Sequence, residues 1–406
     1  MGAPGGHVTD IQDYPFAAPA ALEPPGEWAE LRERCPVAHV RLASGDEALL
    51  LTRYDDVKEL LSDARFTHHL VAEDAASITA NESGGVFASG DGASVRGDAH
   101  REWRKLIGKA FTARRVSALQ PGIEATARRL VDDMVERGGP ADLVAALGFP
   151  LPVWVICELL GVPDSDRDRF AYWSDTLLSL TRYTQEEIDA AQAEFAAYMR
   201  DHVAARRATP GDDLISELIT LVGALDGRVT EEVVLMTAKG LLVAGHETTA
   251  NMIGKMVAML LADRSRWERI VADPSLVRTA VEECLRYDAN FGFGIPRYIS
   301  EDVEIGGTTL AKGSTVVCSL SAANRDESAF EDAAGMDLTR SPNPHLIFGA
   351  GPYACLGQSL ARTELQTVLK VLVERLPTLA LAVPAADLRR REGLLVGGLE
   401  RVPVTW

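Results

Sequence analysis

A glycine-framed cysteine directly before an apolar helix is the feature that most restricts what this chain can fold into. The segment reads Phe348-Gly-Ala-Gly-Pro-Tyr-Ala-Cys-Leu-Gly357, and apolar residues recur at three- and four-residue intervals from Leu365 until Pro377. Cys355 is therefore predicted at a helix N-terminus, where free N–H groups and the helix dipole favour a thiolate. The glycines permit a large ligand to approach closely. The segment is interpreted as a loop that holds a thiolate against a flat cofactor, with an inert buried cysteine as the alternative.

The charge distribution restricts the partners of the chain. A formal net charge of −18 over 406 residues argues against nucleic acid. Residues 100–115 nevertheless hold six basic side chains against the single acid Glu102. A basic island on an acidic protein is predicted to dock an acidic partner. A merely solvated helix face is the alternative.

Cysteine usage, the N-terminus and the lack of linkers indicate the compartment and the domain organisation. The five cysteines are scattered and form no C-x-x-C pair, which argues against a disulfide framework or structural zinc and favours a reducing cytosol. The first residues lack the positive start and apolar core of a signal peptide, and no apolar run is long enough to span a bilayer. We expect a cytoplasmic protein without membrane attachment, folded as a single domain over residues 1–406 with an extended segment at residues 1–30.

Hydrophobic periodicity predicts a mainly helical chain with small sheets, an α+β fold. Helices are predicted at 54–61, through most of 100–206 with breaks at Pro121, 138–140 and 161–163, from 230 to about 263, and after Cys355. Hairpins are predicted within 37–52, 303–310 and 394–404, and a strand at 314–320. Residues 66–97 are interpreted as a lid or substrate-contacting loop, because long structureless loops inside a compact domain are usually functional.

A polar cluster interrupts the longest predicted helix. Residues 241–250 read L-L-V-A-G-H-E-T-T-A, which puts four polar side chains where buried residues are expected. In one interpretation the threonines bond back to carbonyls one turn earlier and only bend the helix. In the other, the helix is kinked, its groove faces a cofactor, and Glu247 and Thr248 relay protons. The residues alone leave both interpretations open.

Three motifs arrive in the order typical of one family. They are Ala244-Gly245-x-Glu247-Thr248-Thr249, Glu283-x-x-Arg286 and Phe348-Gly-x-Gly-x-x-x-Cys355-x-Gly357. With these motifs the chain resembles the soluble bacterial cytochromes P450 over nearly its whole length. The resemblance implies a triangular, mostly helical single-domain fold, with haem between the long central helix and the helix after the cysteine loop.

The family's functional residues carry over position by position. Cys355 would be the axial thiolate ligand of haem b, and Glu247 and Thr248 match the acid–alcohol pair that supplies protons to dioxygen. The other haem contacts that the resemblance implies are His100, Arg104, Ala244, Arg297, Phe348, Gly349, Tyr353 and Gly357. The positions that match the family's structural Glu/Arg/Arg network are Glu283, Arg286 and Arg340. The chain departs from the family at Tyr353, where many bacterial relatives have a histidine that helps hold a haem propionate.

The resemblance implies a monooxygenase that takes electrons from an external ferredoxin and ferredoxin reductase, because the sequence has no flavin or iron–sulfur motif of its own. We expect O2 and a medium-sized, largely apolar natural product of secondary metabolism as substrates, and a monomeric protein. The candidate substrate contacts are Phe87, Val243, Ala244, Asn290, Phe291, Phe293, Ile295 and Val396. Two alternatives are a family member that couples C–C or C–N centres or closes a ring on an aromatic substrate without oxygen insertion, and a haem protein that binds a gas without turnover.

Overall fold

The computed structural model describes residues 11–67, 70–81, 97–109, 111–224, 230–288 and 292–406. Helices dominate this part of the chain. They are α1 Glu27–Arg34, α2 Tyr54–Ser62, α3 Gly97–Ile107, α4 Ala113–Arg137, α5 Pro150–Leu160, α6 Arg167–Leu177, α7 Gln185–Ala208, α8 Leu214–Ala224, α9 Glu231–Ala262, α10 Arg264–Ala272, α11 Val277–Tyr287, α12 Leu320–Ala323 and α13 Gln358–Arg375. The strands are β1 Gln12–Asp13, β2 Val37–Arg41, β3 Glu47–Leu51, β4 Ala141–Asp142, β5 Ile295–Tyr298, β6 Val303–Ile305, β7 Thr308–Leu310, β8 Thr315–Cys318, β9 Ala380–Leu381 and β10 Pro403–Thr405.

The strands form three small sheets. The largest has the order β1-β2-β3-β8-β5, in which β2 and β3 form the predicted antiparallel hairpin and β8 lies parallel to β3. A second sheet has the order β4-β10-β9, and β6 pairs with β7 around the predicted Gly306-Gly307 turn. Both turn glycines have positive φ, which is favourable only without a side chain. The mainly helical prediction with small sheets is confirmed.

The helix α9 runs through the centre of the structure. Thr230 caps its N-terminus by accepting a hydrogen bond from the Val233 N–H. From Ala250 to Leu261 every residue is buried, and α9 packs against α5, α7 and α13. A Cβ added to Gly245 would lie 2.5 Å from the Ile156 side chain of α5. The glycine is therefore explained by close helix packing, and α9 continues through the polar cluster without interruption.

Two predicted boundaries are wrong. Pro121 does not break the helical region but lies inside α4. The missing N–H costs about 3 kcal/mol, and α4 offsets this cost by burying an apolar face against α5 and α13. The predicted hairpin at 394–404 is also not formed: β10 pairs instead with β4 and β9, and Leu399 bridges to Arg390.

The N-terminal segment is fixed to the fold where it is described. β1 pairs in parallel with β2, and the buried Tyr14 donates its hydroxyl hydrogen to the Phe293 carbonyl. The Tyr14 ring also packs on Phe16 and Phe293. Among the described helices, none has both the length and the apolar character needed to cross a membrane.

Candidate active site

A cavity of about 480 Å³ opens between α9 and the segment that leads into α13. Its walls are mostly apolar, with Met252, Leu285 and Phe348 among them. Trp103 and Arg104 of α3 complete the cavity from one side. The volume and the apolar lining are typical of a site for a small organic group.

Cys355 is on the wall of this cavity, immediately before α13. Its N–H donates to the Phe348 carbonyl at 2.7 Å, which closes the loop, and Gly349 takes a φ of +70° within it. Cys355 is exposed at the cavity wall, yet the atoms packed around it displace part of the water near its sulfur and raise the pKa of the thiol. Backbone N–H groups of Gly357 and Gln358, together with nearby arginines, act in the opposite direction and favour the thiolate.

A set of aromatic and cationic side chains surrounds Tyr353. Its ring stacks on His100 with a centroid distance of 4.4 Å, and the Arg297 guanidinium lies 5.5 Å from the centre of the same ring. Burial, followed by the charges of Arg104 and Arg101, lowers the pKa of His100 and favours the neutral imidazole. The position where the family more often has histidine is thus filled by an aromatic ring that contacts both a histidine and an arginine.

Arg297, which lies against the cavity-lining Tyr353, is the strongest sign that an anion binds beside the cavity. Its side chain is 2% exposed, its Nε has no hydrogen-bond partner, and one terminal nitrogen donates to the Pro296 carbonyl. Burial lowers its pKa, and no carboxylate among the described residues counters this effect. A buried, uncompensated guanidinium is costly. The apolar walls, the thiol and this arginine together fit haem, which is flat, mostly apolar and carries propionates.

The two members of the predicted acid–alcohol pair point to different places. Thr248 lines the cavity, and its hydroxyl donates to the Ala244 carbonyl at 3.0 Å. The hydrogen bond to a carbonyl one turn earlier, which the first interpretation predicts, is thus present. The residue that makes it, Thr248, also lines the cavity, as the second interpretation predicts. Glu247 is 2% exposed and is not part of the cavity wall.

The Glu247 carboxylate belongs to a buried polar cluster. It accepts hydrogen bonds from Arg391 at 2.7 Å and from Asn251 at 3.1 Å. The other terminal nitrogen of Arg391 contacts both oxygens of Asp175 at 2.6 Å. Arg391 therefore joins the acid of α9 to α6, and it reaches the cluster from the segment that follows β9.

The three residues of the predicted structural network contact one another through Glu283. Glu283 and Arg286 are fully buried and make two hydrogen bonds at 2.7 and 2.9 Å. Arg340 reaches the same carboxylate at 3.1 Å, and Arg286 also donates to three main-chain carbonyls. These bonds tie α11 to the loop that precedes the cysteine segment. A nearby pair, His345 and Glu282, makes a second link at 3.0 Å.

The structure places only some of the predicted substrate contacts on the cavity wall. Ala244 and Ile295 line the cavity. Val243, Phe293 and Val396 are buried in a neighbouring hydrophobic cluster and are not on this wall. Phe87, Asn290 and Phe291, with most of the predicted loop at 66–97, lie outside the described residues.

Sequence reasoning missed three residues that the structure brings to the site. Trp103 lines the cavity and donates its indole N–H to Thr237 of α9 at 2.9 Å. Arg391 binds Glu247, and Glu364 lines the cavity from α13. Only Glu364 carried a signal in the sequence, because a glutamate between apolar positions of a buried helix is costly and therefore unusual.

Comparison with known proteins identifies the family. The family model described as Cytochrome P450 matches residues 165–379. Nocardicin C N-oxygenase of Nocardia uniformis subsp. tsuyamanensis is 42% identical, with 98% of this chain and 99% of that protein covered. Mycinamicin IV hydroxylase/epoxidase of Micromonospora griseorubida is also 42% identical, with 97% and 98% covered. The crystal structure of SgvP, a proposed thioether synthase of griseoviridin tailoring, aligns with a TM-score of 0.93 at 38% identity, with 98% and 100% covered.

The chain belongs to the cytochrome P450 family. It has the P450 fold that its motifs predicted, and it is an oxidoreductase of the monooxygenase class. Members of the family bind haem through a cysteine thiolate. The cofactor is accordingly haem b with Cys355 as its axial ligand, in agreement with the cavity, the thiol and the buried arginine.

Proposed function

We propose that this P450 hydroxylates or epoxidises a medium-sized, largely apolar natural product. The observation that carries the proposal is the cavity itself, where Thr248 and Cys355 share apolar walls with few charged groups. Two of the most similar relatives are named for an N-oxygenation and for a hydroxylation and epoxidation of natural products. Oxygen insertion into a substrate of that class is consistent with this site.

The proton-handling residues act around the cofactor. Haem bound at Cys355 supplies the activation of dioxygen with electrons delivered from outside. Thr248 presents its hydroxyl to the cavity while its own hydrogen bond to Ala244 fixes its orientation. Glu247 is the acid of the proposed pair, and Arg391 holds its carboxylate in place. The cavity wall is mostly apolar, so few groups other than the positioned ones can supply protons there.

The haem propionates are assigned to the cationic side of the cavity. Arg104 and Tyr353 line the cavity there, and both His100 and Arg297 lie against the Tyr353 ring, so positive charge and hydrogen-bonding groups come together at this side. A propionate at Arg297 would give its Nε the acceptor that the protein does not provide. Ala244, Phe348 and Gly357 line the cavity, and Gly349 shapes the loop with its positive φ. These features support the haem contacts inferred from the motifs.

The electron donor is proposed to be a ferredoxin, reduced by its reductase. Within the basic segment, Arg101, Lys105, Lys109 and Arg114 are exposed, whereas Arg115 pairs with Glu217 at 2.5 Å. Reversing Lys109 and Arg114 to glutamate should slow reduction by ferredoxin and leave ligand binding unchanged, since steering between opposite charges mainly affects association. The matched control is Arg129→Glu, an exposed arginine on α4 outside this segment. Equal reduction rates in all variants would exclude docking on this surface.

Replacement of Thr248 by alanine tests the proposed monooxygenase reaction directly. With a ferredoxin system, NADPH and a ligand found by a spectral binding screen, the variant should divert electrons from product to hydrogen peroxide. Thr363→Ala is the matched control, because Thr363 makes the same back-bond to the Ser359 carbonyl on the exposed face of α13. Turnover driven by peroxide alone and insensitive to Thr248→Ala would refute the proposal. Binding of a gas without any turnover would refute it as well.

A second candidate reaction is oxidative bond formation without oxygen insertion. The observation in its favour is the structural similarity to SgvP, a proposed thioether synthase of the same family. Product mass separates the two reactions: hydroxylation adds one oxygen atom, whereas coupling or ring closure removes two hydrogens.

We also propose that the chain forms one domain. One hydrophobic cluster combines Ala21 with Val404, and another combines Tyr14 with Val396. The two ends of the described chain therefore contribute to the same cores.

A further inference from the structure

A cluster of charged side chains connects α11 to the segments on both sides of Cys355. The Glu282 carboxylate accepts a hydrogen bond from Arg362 Nε at 2.8 Å, and its other oxygen lies 3.0 Å from His345 Nε2. Burial raises the pKa of Glu282, but the hydrogen bonds from His345 and Arg362 outweigh burial and lower it to about 2. Glu282 is therefore ionised at neutral pH and holds a negative charge beside Arg362.

Arg362 extends from this cluster to the surroundings of Cys355. One of its terminal nitrogens donates to the Gln358 side-chain oxygen at 3.1 Å, and its guanidinium carbon lies 4.4 Å from the centre of the Phe348 ring. Both neighbours act on Cys355 through the main chain: the Gln358 N–H favours the thiolate, and the Phe348 carbonyl accepts the Cys355 N–H. Arg362 therefore contacts two residues that shape the cysteine loop, and one of them, Phe348, lines the cavity.

The charge of Arg362 acts on Cys355 as well. Burial raises the pKa of the Cys355 thiol, while the charges of Arg104 and Arg362 favour the thiolate. A positive charge that stabilises a thiolate also stabilises the reduced state of the haem bound to it, because that state carries one more electron. Glu282 opposes this effect, since a carboxylate 2.8 Å from a guanidinium cancels most of its charge as felt at a distance.

The alternative role of Glu282 is only to join helices. The next residue, Glu283, has that role, because it is fully buried and bonds to Arg286 and Arg340. The side chains of Glu282 and Arg362 are 20% and 29% exposed, so their ion pair is partly solvated and adds little to stability. The larger consequence of this pair is the charge that it cancels near the thiolate.

We propose that Glu282 keeps the reduction potential of the haem low, by neutralising Arg362 and by holding its contacts to Gln358 and Phe348. Glu282 is a positioning residue, because it acts through Arg362 and is not on the cavity wall. The proposal rests on haem ligation by Cys355 and is independent of the substrate and of the reaction outcome. Reduction adds one electron, supplied from outside, and leaves every bond of the cluster intact.

Potentiometric titration of the haem-loaded protein tests the proposal. A chemical reductant and mediators replace ferredoxin, and no substrate is added, so docking and turnover do not contribute. Glu282→Gln leaves the charge of Arg362 unopposed, and the equilibrium constant for reduction should rise about ten-fold, which is about 59 mV for one electron. Glu282→Asp keeps the charge and should stay near the wild-type potential. Glu374→Gln is the matched control and should not change it, because Glu374 lies further along α13 and pairs with Arg128 at 2.7 Å.

Opposite signs distinguish a charge effect from loosened packing. Arg362→Met removes the positive charge and should lower the potential by a similar amount, and the double variant Glu282→Gln/Arg362→Met should return close to the wild type. If the glutamine variant does not load haem, Arg362→Met tests the same claim alone. Shifts of the same sign in both single variants, or an unchanged potential in Glu282→Gln, would overturn the proposal. The carbon monoxide band of each reduced variant shows whether the thiolate is retained, so failure of ligation by Cys355 is recognised separately.

Discussion

Replacement of Arg297 by leucine tests the haem site at its most unusual residue. The guanidinium is buried, its Nε has no partner, and no carboxylate among the described residues compensates it. A charge-assisted hydrogen bond to a propionate contributes about 1.5–3 kcal/mol. Since every 1.4 kcal/mol is roughly a factor of ten, Arg297→Leu should weaken haem retention about 10- to 100-fold. The measurement is the rate of haem transfer to excess apomyoglobin, followed in the visible spectrum.

A matched variant separates haem binding from general damage. Arg325 is also buried, but its guanidinium lies 3.5 Å from the Tyr287 ring centre and donates to the Tyr287 and Ala334 carbonyls. Arg325→Leu should lower the free energy of unfolding because those carbonyls lose their donors, and it should leave haem transfer near the wild-type rate. Haem loss from Arg297→Leu at the wild-type rate would refute the assignment of an anion to this position.

Two further predictions concern stability. Glu283→Ala leaves Arg286 buried without its carboxylate and should lower the free energy of unfolding in urea by about 3–5 kcal/mol. The control Glu301→Ala breaks an exposed ion pair and should lower it by less than about 1 kcal/mol. Equal losses in the two variants would contradict a stabilising role of the buried network. Burial lowers the pKa of His246 below its ordinary 6.5. The unfolded state therefore binds a proton at a higher pH than the folded state does, and the free energy of unfolding falls as the pH drops below 6.5. His246→Phe should reduce that slope by up to about 1.4 kcal/mol per pH unit, measured by unfolding at several pH values, and an unchanged slope would show that the imidazole is charged in the folded protein.

Local patterns in the sequence predicted most of the fold. The hairpin of β2 and β3, the Gly306-Gly307 turn and the capped start of α9 follow from turn residues, alternation and Thr230. The family motifs placed Cys355 correctly at the cavity. These features depend on neighbours in the sequence, so they can be read without the tertiary structure.

The predictions that failed depend on contacts between distant segments. Pro121 is accommodated because the rest of α4 packs against α5 and α13. The strand at the C-terminus finds its partners in β4 and β9, more than twenty residues away in sequence. Hydrophobic periodicity does not predict such pairings, because it depends only on which residues are apolar and on their spacing.

Side-chain direction was the least predictable part of the site. The motif pairs Glu247 with Thr248, yet Glu247 contacts Arg391 while Thr248 lines the cavity. Adjacent positions on a helix face about 100° apart, so the side chains of Glu247 and Thr248 leave α9 in different directions. Glu364 is nine residues after Cys355, on the inner face of α13, and only the packed structure shows that it shares the cavity with Thr248.

Carbon monoxide binding to the reduced protein tests the central claim, thiolate ligation of haem by Cys355, most directly. The wild type should give the strongly red-shifted absorption band of a thiolate-ligated haem. Cys355→Ala should abolish that band, while Cys157→Ala, which removes a buried thiol that is not on the cavity wall, should leave it unchanged. A red-shifted band that persists in Cys355→Ala would contradict the account.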